Sequence, residues 1–364
     1  MFKVLHMNEK YPTSSPSVLH PEVYGEKGWT YLKFSFTYYT KAIECFQQAL
    51  ELQPEDSEWN AGLAIALYRK ESDSQKGSKT SLNIEESLAI KQLRRALQIN
   101  PADGVLLSML AIRLAVYQNH REAKDLIETA LRTDPDNPHI TRYVAKYLRN
   151  QGDVDESIDL LQQALHRTSE SAFIHHQLAL CYKRKKITEH HGNRKAGQRW
   201  RRQCIHHLNR AVQLKPTFVL ALADLGLLYG EEQNLSRANE LFKQAAEAPE
   251  SSKSIQQFFH VRYGDFHFYH SKQEAEAITH YTKGLLLLPH TWEQKQCAKK
   301  LQQIADRRLL TEESDGPALA LLGLVAKAEG NKRKAVELYE KALDCDSNNE
   351  EYLSALLELR MELH

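Results

Sequence analysis

Small and bulky apolar residues recur one helical turn apart along this chain, as Ala42 and Phe46, Ala123 and Ile127, Ala238 and Phe242, Ala277 and Tyr281, and Ala335 and Tyr339. Residues four apart share a helix face, so each pair sets a close-approach point beside a groove-filling side chain. A further small residue falls at Ala49, Ala96, Ala130, Ala164, Ala211, Ala245, Gly284 and Ala342. The steps from Ala96 to Ala130, Ala130 to Ala164 and Ala211 to Ala245 are each 34 residues, and those from Ala49 to Ala96 and Ala164 to Ala211 are each 47. The longer step is the shorter one plus 13, so insertions between helices leave the repeat in register on both sides. Pro54, Pro101, Pro135 and Pro216 each lie five residues after one of these alanines, where a ring without an N–H ends a helix. The pattern predicts an all-α chain of repeated helix pairs.

A 34-residue period with A-x3-F in the second helix and a closing proline is the tetratricopeptide-repeat pattern. The expected architecture is therefore a tetratricopeptide-repeat superhelical solenoid of about eight helix pairs over residues 21–364, preceded by a flexible Ser- and Pro-containing leader over residues 1–20. Two loops are expected, one around Lys70 to Asn83 rich in Ser, Lys and Gly, and a basic insertion over residues 184–203. An acidic, Leu-rich segment over residues 349–362 reads as a capping helix.

Composition changes this picture little. Lys plus Arg total 48 against 47 Asp plus Glu, so net charge draws the chain to no polyanion and any such binding needs a local patch. Cys45, Cys181, Cys204, Cys297 and Cys345 are odd in number and unpaired in spacing, which reads as reduced, mostly core thiols in a cytoplasmic protein. No stretch reaches the ~20 apolar residues of a membrane span. There is no GxxxxGK, GxSxG or HExxH motif. The adjacent His190 and His191, and His206 and His207, point to different sides of a backbone and read as loop or surface residues. Neither an enzyme, a metal site nor a cofactor is expected.

The first helix of each pair lines the inner surface of such a solenoid, and its fifth, ninth and twelfth residues face whatever is bound. In the unit beginning at Pro138 these are Arg142, Lys146 and Arg149, three cations on one face that repel one another unless an anion lies between them. The next unit adds His175, His176, Gln177 and Lys183, beside the basic insertion with Arg184, Lys185, Lys186, Arg194, Lys195, Arg199, Arg201 and Arg202. The stripe reads as an anion-binding face or, residue by residue, as a solvated one. Upstream, Trp29 and Lys33, then Ile65 and Arg69, are i, i+4 pairs, with Tyr39 nearby. An aromatic plane beside cations suits a nucleotide, and a Trp in a first helix equally suits the repeat core.

Glu26-Lys27-Gly28-Trp29 through Lys33, Tyr68-Arg69, Arg142-Tyr143-Val144-Ala145-Lys146, His175-His176-Gln177 with Cys181-Tyr182-Lys183, Lys215-Pro216-Thr217-Phe218 and Tyr263-Gly264-Asp265-Phe266 lie outside the generic repeat consensus. Together they resemble the interferon-induced proteins with tetratricopeptide repeats, from about Pro21 to about Leu343. The resemblance implies an antiviral, interferon-induced effector of innate immunity. Such proteins capture the 5′ end of foreign single-stranded RNA, as a triphosphate or an incompletely methylated cap, in a basic tunnel. It implies that Trp29 and Ile65 lie at the end-recognition pocket, with Trp29 stacking on a cap base. It also implies that Lys33, Tyr39, Arg69, Arg142, Lys146, Arg149, His176 and Gln177 serve phosphates or the first nucleotides. The family's Tyr-x-x-x-Leu pair for assembly between members is present as Tyr339 and Leu343, which otherwise read as repeat core beneath a cap.

One departure stands out. The family's N-terminal subdomain, ~70 residues or more at about 34 per repeat, has no counterpart in residues 1–20. A shortened form of this kind is expected to bind RNA more weakly, with more salt sensitivity and less end selectivity, because an open groove enforces less geometry. The competing expectation is a protein-interaction scaffold whose groove holds an acidic peptide on the same Arg142 and Lys146.

Overall fold

The computed structural model describes residues 20–34, 38–74, 84–167, 170–189, 194–248 and 252–363, without the side chains of residues 72–74 and 194–196. Among these the chain is all helical. The α-helices are α1 (Pro21–Phe34), α2 (Tyr39–Leu52), α3 (Ser57–Ser74), α4 (Leu88–Ile99), α5 (Gly104–Val116), α6 (His120–Thr133), α7 (Pro138–Gln151), α8 (Val154–Arg167) and α9 (Ala172–Glu189). They continue as α10 (Arg194–Leu214), α11 (Val219–Glu231), α12 (Leu235–Ala246), α13 (Lys253–Phe266), α14 (Glu274–Leu287), α15 (Trp292–Thr311), α16 (Gly316–Ala328), α17 (Lys332–Cys345) and α18 (Glu350–Leu363). A π-helical turn, His267–Ser271, extends α13. The fold class is the expected tetratricopeptide-repeat solenoid.

Helix ends follow the local chemistry. Helices α2, α4, α6 and α10 stop two residues before Pro54, Pro101, Pro135 and Pro216, because the residue preceding a proline is pushed out of the helical region. Asp103 caps α5 by accepting from the amides of Val105 and Leu106, each at 3.0 Å, and Ser87, Ser252, Thr291 and Asp315 cap α4, α13, α15 and α16 in the same way. Within the pairs, the turn into the second helix repeats a left-handed residue: Gln118, Gln233 and Gly330 have φ of 63°, 61° and 83°.

Contacts divide the chain into two compact units, the boundary falling inside α7 between Tyr147 and Leu148. In the first, Ala42, Phe46, Ala49, Trp59, Leu63 and Ala66 bury an apolar cluster under α1. Phe46 is fully buried because Gly28 and Gly62 leave no Cβ in its way; one built there would meet the ring at 2.8 and 2.5 Å. In the second unit, Ala277, Tyr281, Leu285, Cys297 and Leu301 form one cluster, and Ala335, Tyr339, Leu356 and Leu359 another. The small-and-bulky pairs that carry the period are all core residues, and of the recurring small residues only Ala164 is half-exposed. Cys181, Cys204 and Cys297 are buried, Cys45 half-buried and Cys345 exposed.

Three boundaries differ from the sequence reading. Residues 184–189 continue α9 and 194–203 open α10, so the expected basic loop is helical where it is described. Lys, Arg and Gln are good helix formers and no proline interrupts the segment. The Trp200 ring also stacks on Tyr182 across the pair, with centroids 5.7 Å apart. Likewise α3 runs to Ser74 before a 3-10 turn at Ile84–Glu86, so Lys70 to Ser74 are helical. The long step from Gly284 to Ala342 accommodates α15, a helix outside the two-helix period. Residues 1–19, 75–83, His190 and His191 lie outside the described residues.

Candidate nucleic-acid interface

In the first unit, Trp29 on α1, Tyr39 at the start of α2 and Ile65 on α3 pack against one apolar cluster, while Lys33, near the end of α1, is exposed and Arg69 lies on α3. Trp29 meets the Phe46 ring edge-on at 5.3 Å and is half-buried, so its ring is held by the core as the repeat pattern requires. Its Nε1 is shut off from solvent without a hydrogen-bond partner among the described residues. Arg69 donates from Nη1 to the Leu32 carbonyl at 3.1 Å, one of the orphan carbonyls ending α1. Its neighbour Tyr68 packs edge-on against Tyr143 of α7 at 6.2 Å, and the Arg142 guanidinium lies over the Tyr143 ring at 4.8 Å.

Helix α7 carries Arg142, Lys146 and Arg149 at i, i+4 and i+7, all half-buried. In the second unit Arg149 donates from Nη1 to the Gln177 side-chain oxygen at 2.8 Å, a neutral acceptor that orients the guanidinium without cancelling its charge. His176, next to it, is buried against the Phe218 ring at 4.8 Å, and its Nε2 has no partner. Burial lowers the His176 pKa to about 4; Asp224 opposes the shift, and Arg149 and Lys183 add to it. The imidazole is therefore neutral at neutral pH.

The structure sorts the cations that the sequence pools. Three cations of the basic segment are compensated, Lys185 by Asp155 and Lys186 and Arg201 by Glu231, and Lys183 just before it pairs with Asp224 at 2.8 Å. Lys33, Arg69, Arg142 and Arg149, in contrast, have no carboxylate within ion-pair distance among the described residues. Sequence reasoning missed Asp224 and Arg262. Asp224 is the one acid inside the apolar run of α11, which ends on Glu231, and it accepts from both Lys183 and the Arg262 Nε, the latter at 3.0 Å. That single acid in VLALADLGLLYG was the available signal.

The structure places Tyr339 in the core beneath α18, with Leu343 packed partly buried beside it. Exposed apolar positions at this end are Leu353, Leu357, Met361 and Leu363, on the helix that covers them.

Repeated helix pairs packed through small and bulky residues one turn apart define a tetratricopeptide-repeat protein. Tetratricopeptide-repeat models match residues 31–74 and 109–172, and another matches 316–349. The human antiviral innate immune response effector IFIT1 is 33% identical over 331 residues, 89% of this chain and 68% of the relative. Human interferon-induced protein with tetratricopeptide repeats 2 is 30% identical, over 95% of this chain and 73% of its own length. Among solved structures, the human IFIT1 dimer with PPP-AAAA matches with a TM-score of 0.78 at 32% identity, covering 94% of this chain and 77% of that one. The human IFIT1 dimer with m7Gppp-AAAA matches with a TM-score of 0.80 at 32% identity, covering 95% and 76%. The chain belongs to the family of interferon-induced proteins with tetratricopeptide repeats.

No helix among the described residues is long and apolar enough to cross a membrane.

Proposed function

We propose that this chain is a non-catalytic antiviral RNA-binding protein that holds the 5′ end of single-stranded RNA, as a triphosphate or a cap. In the first unit the observation that carries the reading is that, among the described residues, Lys33, Arg69 and Arg142 are left without carboxylates and the Trp29 Nε1 without a hydrogen-bond partner; in the second, Arg149 and the His176 Nε2 are left in the same way. Phosphates supply the missing charge, and a base or ribose supplies acceptors for the two nitrogens. The relatives solved with PPP-AAAA and m7Gppp-AAAA support the same chemistry.

The test compares binding of matched single-stranded RNAs bearing a 5′ triphosphate or a 5′ hydroxyl, at two salt concentrations. The triphosphate is expected to bind at least about tenfold more tightly, and Arg142→Glu with Lys146→Glu to abolish that preference. Each lost phosphate contact should flatten the log–log salt dependence by about 0.7. Equal, weak binding of both RNAs would overturn the reading in favour of a scaffold for acidic peptides.

Association with other family members is proposed through the C-terminal helices, as the dimeric relatives suggest. Because Tyr339 is buried under α18, the contact is expected at Leu353, Leu357 and Met361, which form an exposed i, i+4, i+8 stripe. Sedimentation at micromolar concentration is expected to show a dimer that Leu357→Glu with Met361→Glu converts to monomer; an unchanged dimer would place the contact elsewhere.

A further inference from the structure

The junction of α13 and α14 gathers histidines that the proposed RNA site does not use. His267 opens the π-helical turn, and Glu276 and His280 lie one turn apart on the first half of α14. Their donor atoms all fall within 4.8 Å of one another. Residues at i and i+4 of a helix face the same way and form a two-point chelate, to which the π turn adds a third donor from the preceding element. Turns of this kind concentrate at functional sites.

The neighbours hold both imidazoles in place. The His267 Nδ1 and the Ser271 Oγ are 3.0 Å apart, and the His280 Nδ1 and the His260 Nδ1 2.9 Å. With both Nδ1 atoms engaged, each ring leaves its Nε2 as the remaining donor. The Tyr263 ring packs against both, with centroids 4.4 Å from His267 and 4.3 Å from His280. Histidine ligands in metal sites are oriented in this way through the second ring nitrogen.

We propose that His267, Glu276 and His280 form a site for a divalent transition-metal ion of the zinc class, with at least one position open to water or a further ligand. Two imidazoles and one carboxylate are a donor set such ions accept, whereas calcium and magnesium take oxygen ligands. Metal–ligand bonds of about 2.0–2.2 Å require the donors to close to roughly 3.3 Å. Glu276 is exposed and makes that adjustment, while His267 and His280 stay packed. The bound ion would fasten the π turn to α14 and stabilise the second unit by mass action. The sequence spacing, His then Glu nine residues on and His four further, matches no common metal motif, so only the fold brings the set together.

Cobalt(II) is the probe, because its visible absorption distinguishes four- or five-coordinate protein sites from the six-coordinate aquo ion. The metal-free full chain is titrated with cobalt(II), then with zinc(II) as competitor. One cobalt per chain with intense visible bands, displaced by zinc, is the expected result. Glu276→Gln, at an exposed position where folding is undisturbed, is expected to weaken cobalt binding at least about tenfold, and His280→Asn to remove the bands. Thermal unfolding should shift upward with zinc in the parent chain and much less in Glu276→Gln. An aquo-like spectrum, or equal affinity in Glu276→Gln, would overturn the proposal and leave the three residues as part of the aromatic packing around Tyr263.

Discussion

Replacing Asp224 with alanine is expected to lower the stability of the second unit by about 3 kcal/mol, read from urea unfolding. The Asp224 carboxylate is 3% exposed and accepts from Lys183 Nζ at 2.8 Å and Arg262 Nε at 3.0 Å. Burial alone would raise its pKa, but the two cations, Lys183 first, outweigh it and hold the carboxyl far below the usual carboxylate range. Removing the acid leaves two part-buried cations facing each other with nothing between them. That loss exceeds the net value of the intact network, because the desolvation already suffered by the cations is no longer offset. The triple replacement Asp224→Leu, Lys183→Met and Arg262→Met should therefore recover much of what Asp224→Ala loses. If Asp224→Ala unfolds within 0.5 kcal/mol of the parent, roughly the scatter of a surface substitution, the network is not structural.

The same residues show what the sequence could and could not reveal. The small-and-bulky pairs gave the helices, the period and the core, because every 3.6-residue repetition was packed against a neighbour with matching repetition. Arg142, Lys146 and Arg149 could be placed on one face of one helix by counting alone, and α7 carries them so. Which cations are free for a ligand was not legible, since pairing depends on acids far away in sequence: Lys186 meets Glu231, and Arg113 in the apolar α5 meets Glu71 at 2.6 Å. Part of the basic segment is neutralised in this way, through Lys185, Lys186 and Arg201. The expected capping helix was legible from its acidic, Leu-rich composition, and α18 covers Tyr339 as the core reading of that residue requires.

Acidification is expected to destabilise the fold in two separable stages, measured as the urea midpoint against pH. The first belongs to histidines. His176, beside Phe218 and facing Asp224, Arg149 and Lys183, has its pKa lowered from 6.5 to about 4 chiefly by burial. His207 is lowered to about 4 by burial and by His175 and His206, in a stack where Tyr182 covers its ring and its Nδ1 meets that of His175 at 2.9 Å. A depressed histidine pKa means that the unfolded chain takes up the proton first. Stability is therefore complete above pH 6.5 and falls as the pH drops from 6.5 to about 4. Each buried imidazole contributes about 3 kcal/mol at most to that loss, a large part of the 5–15 kcal/mol typical of a folded domain. Asp224 acts in the same direction but at lower pH. Its folded pKa lies far below the ordinary carboxylate value of 3.8, so its stabilisation persists through most of the histidine window and fades only in stronger acid. His207→Gln keeps a hydrogen-bonding group beside His175 and removes the titration, so the slope between pH 6.5 and 4 should drop by that group's share, with His176, His260, His267, His270 and His280, also lowered by burial, supplying the rest. A midpoint that stays flat across that window would mean that both imidazoles accept protons in the folded state at no cost, and that the pocket around His176 is open to water.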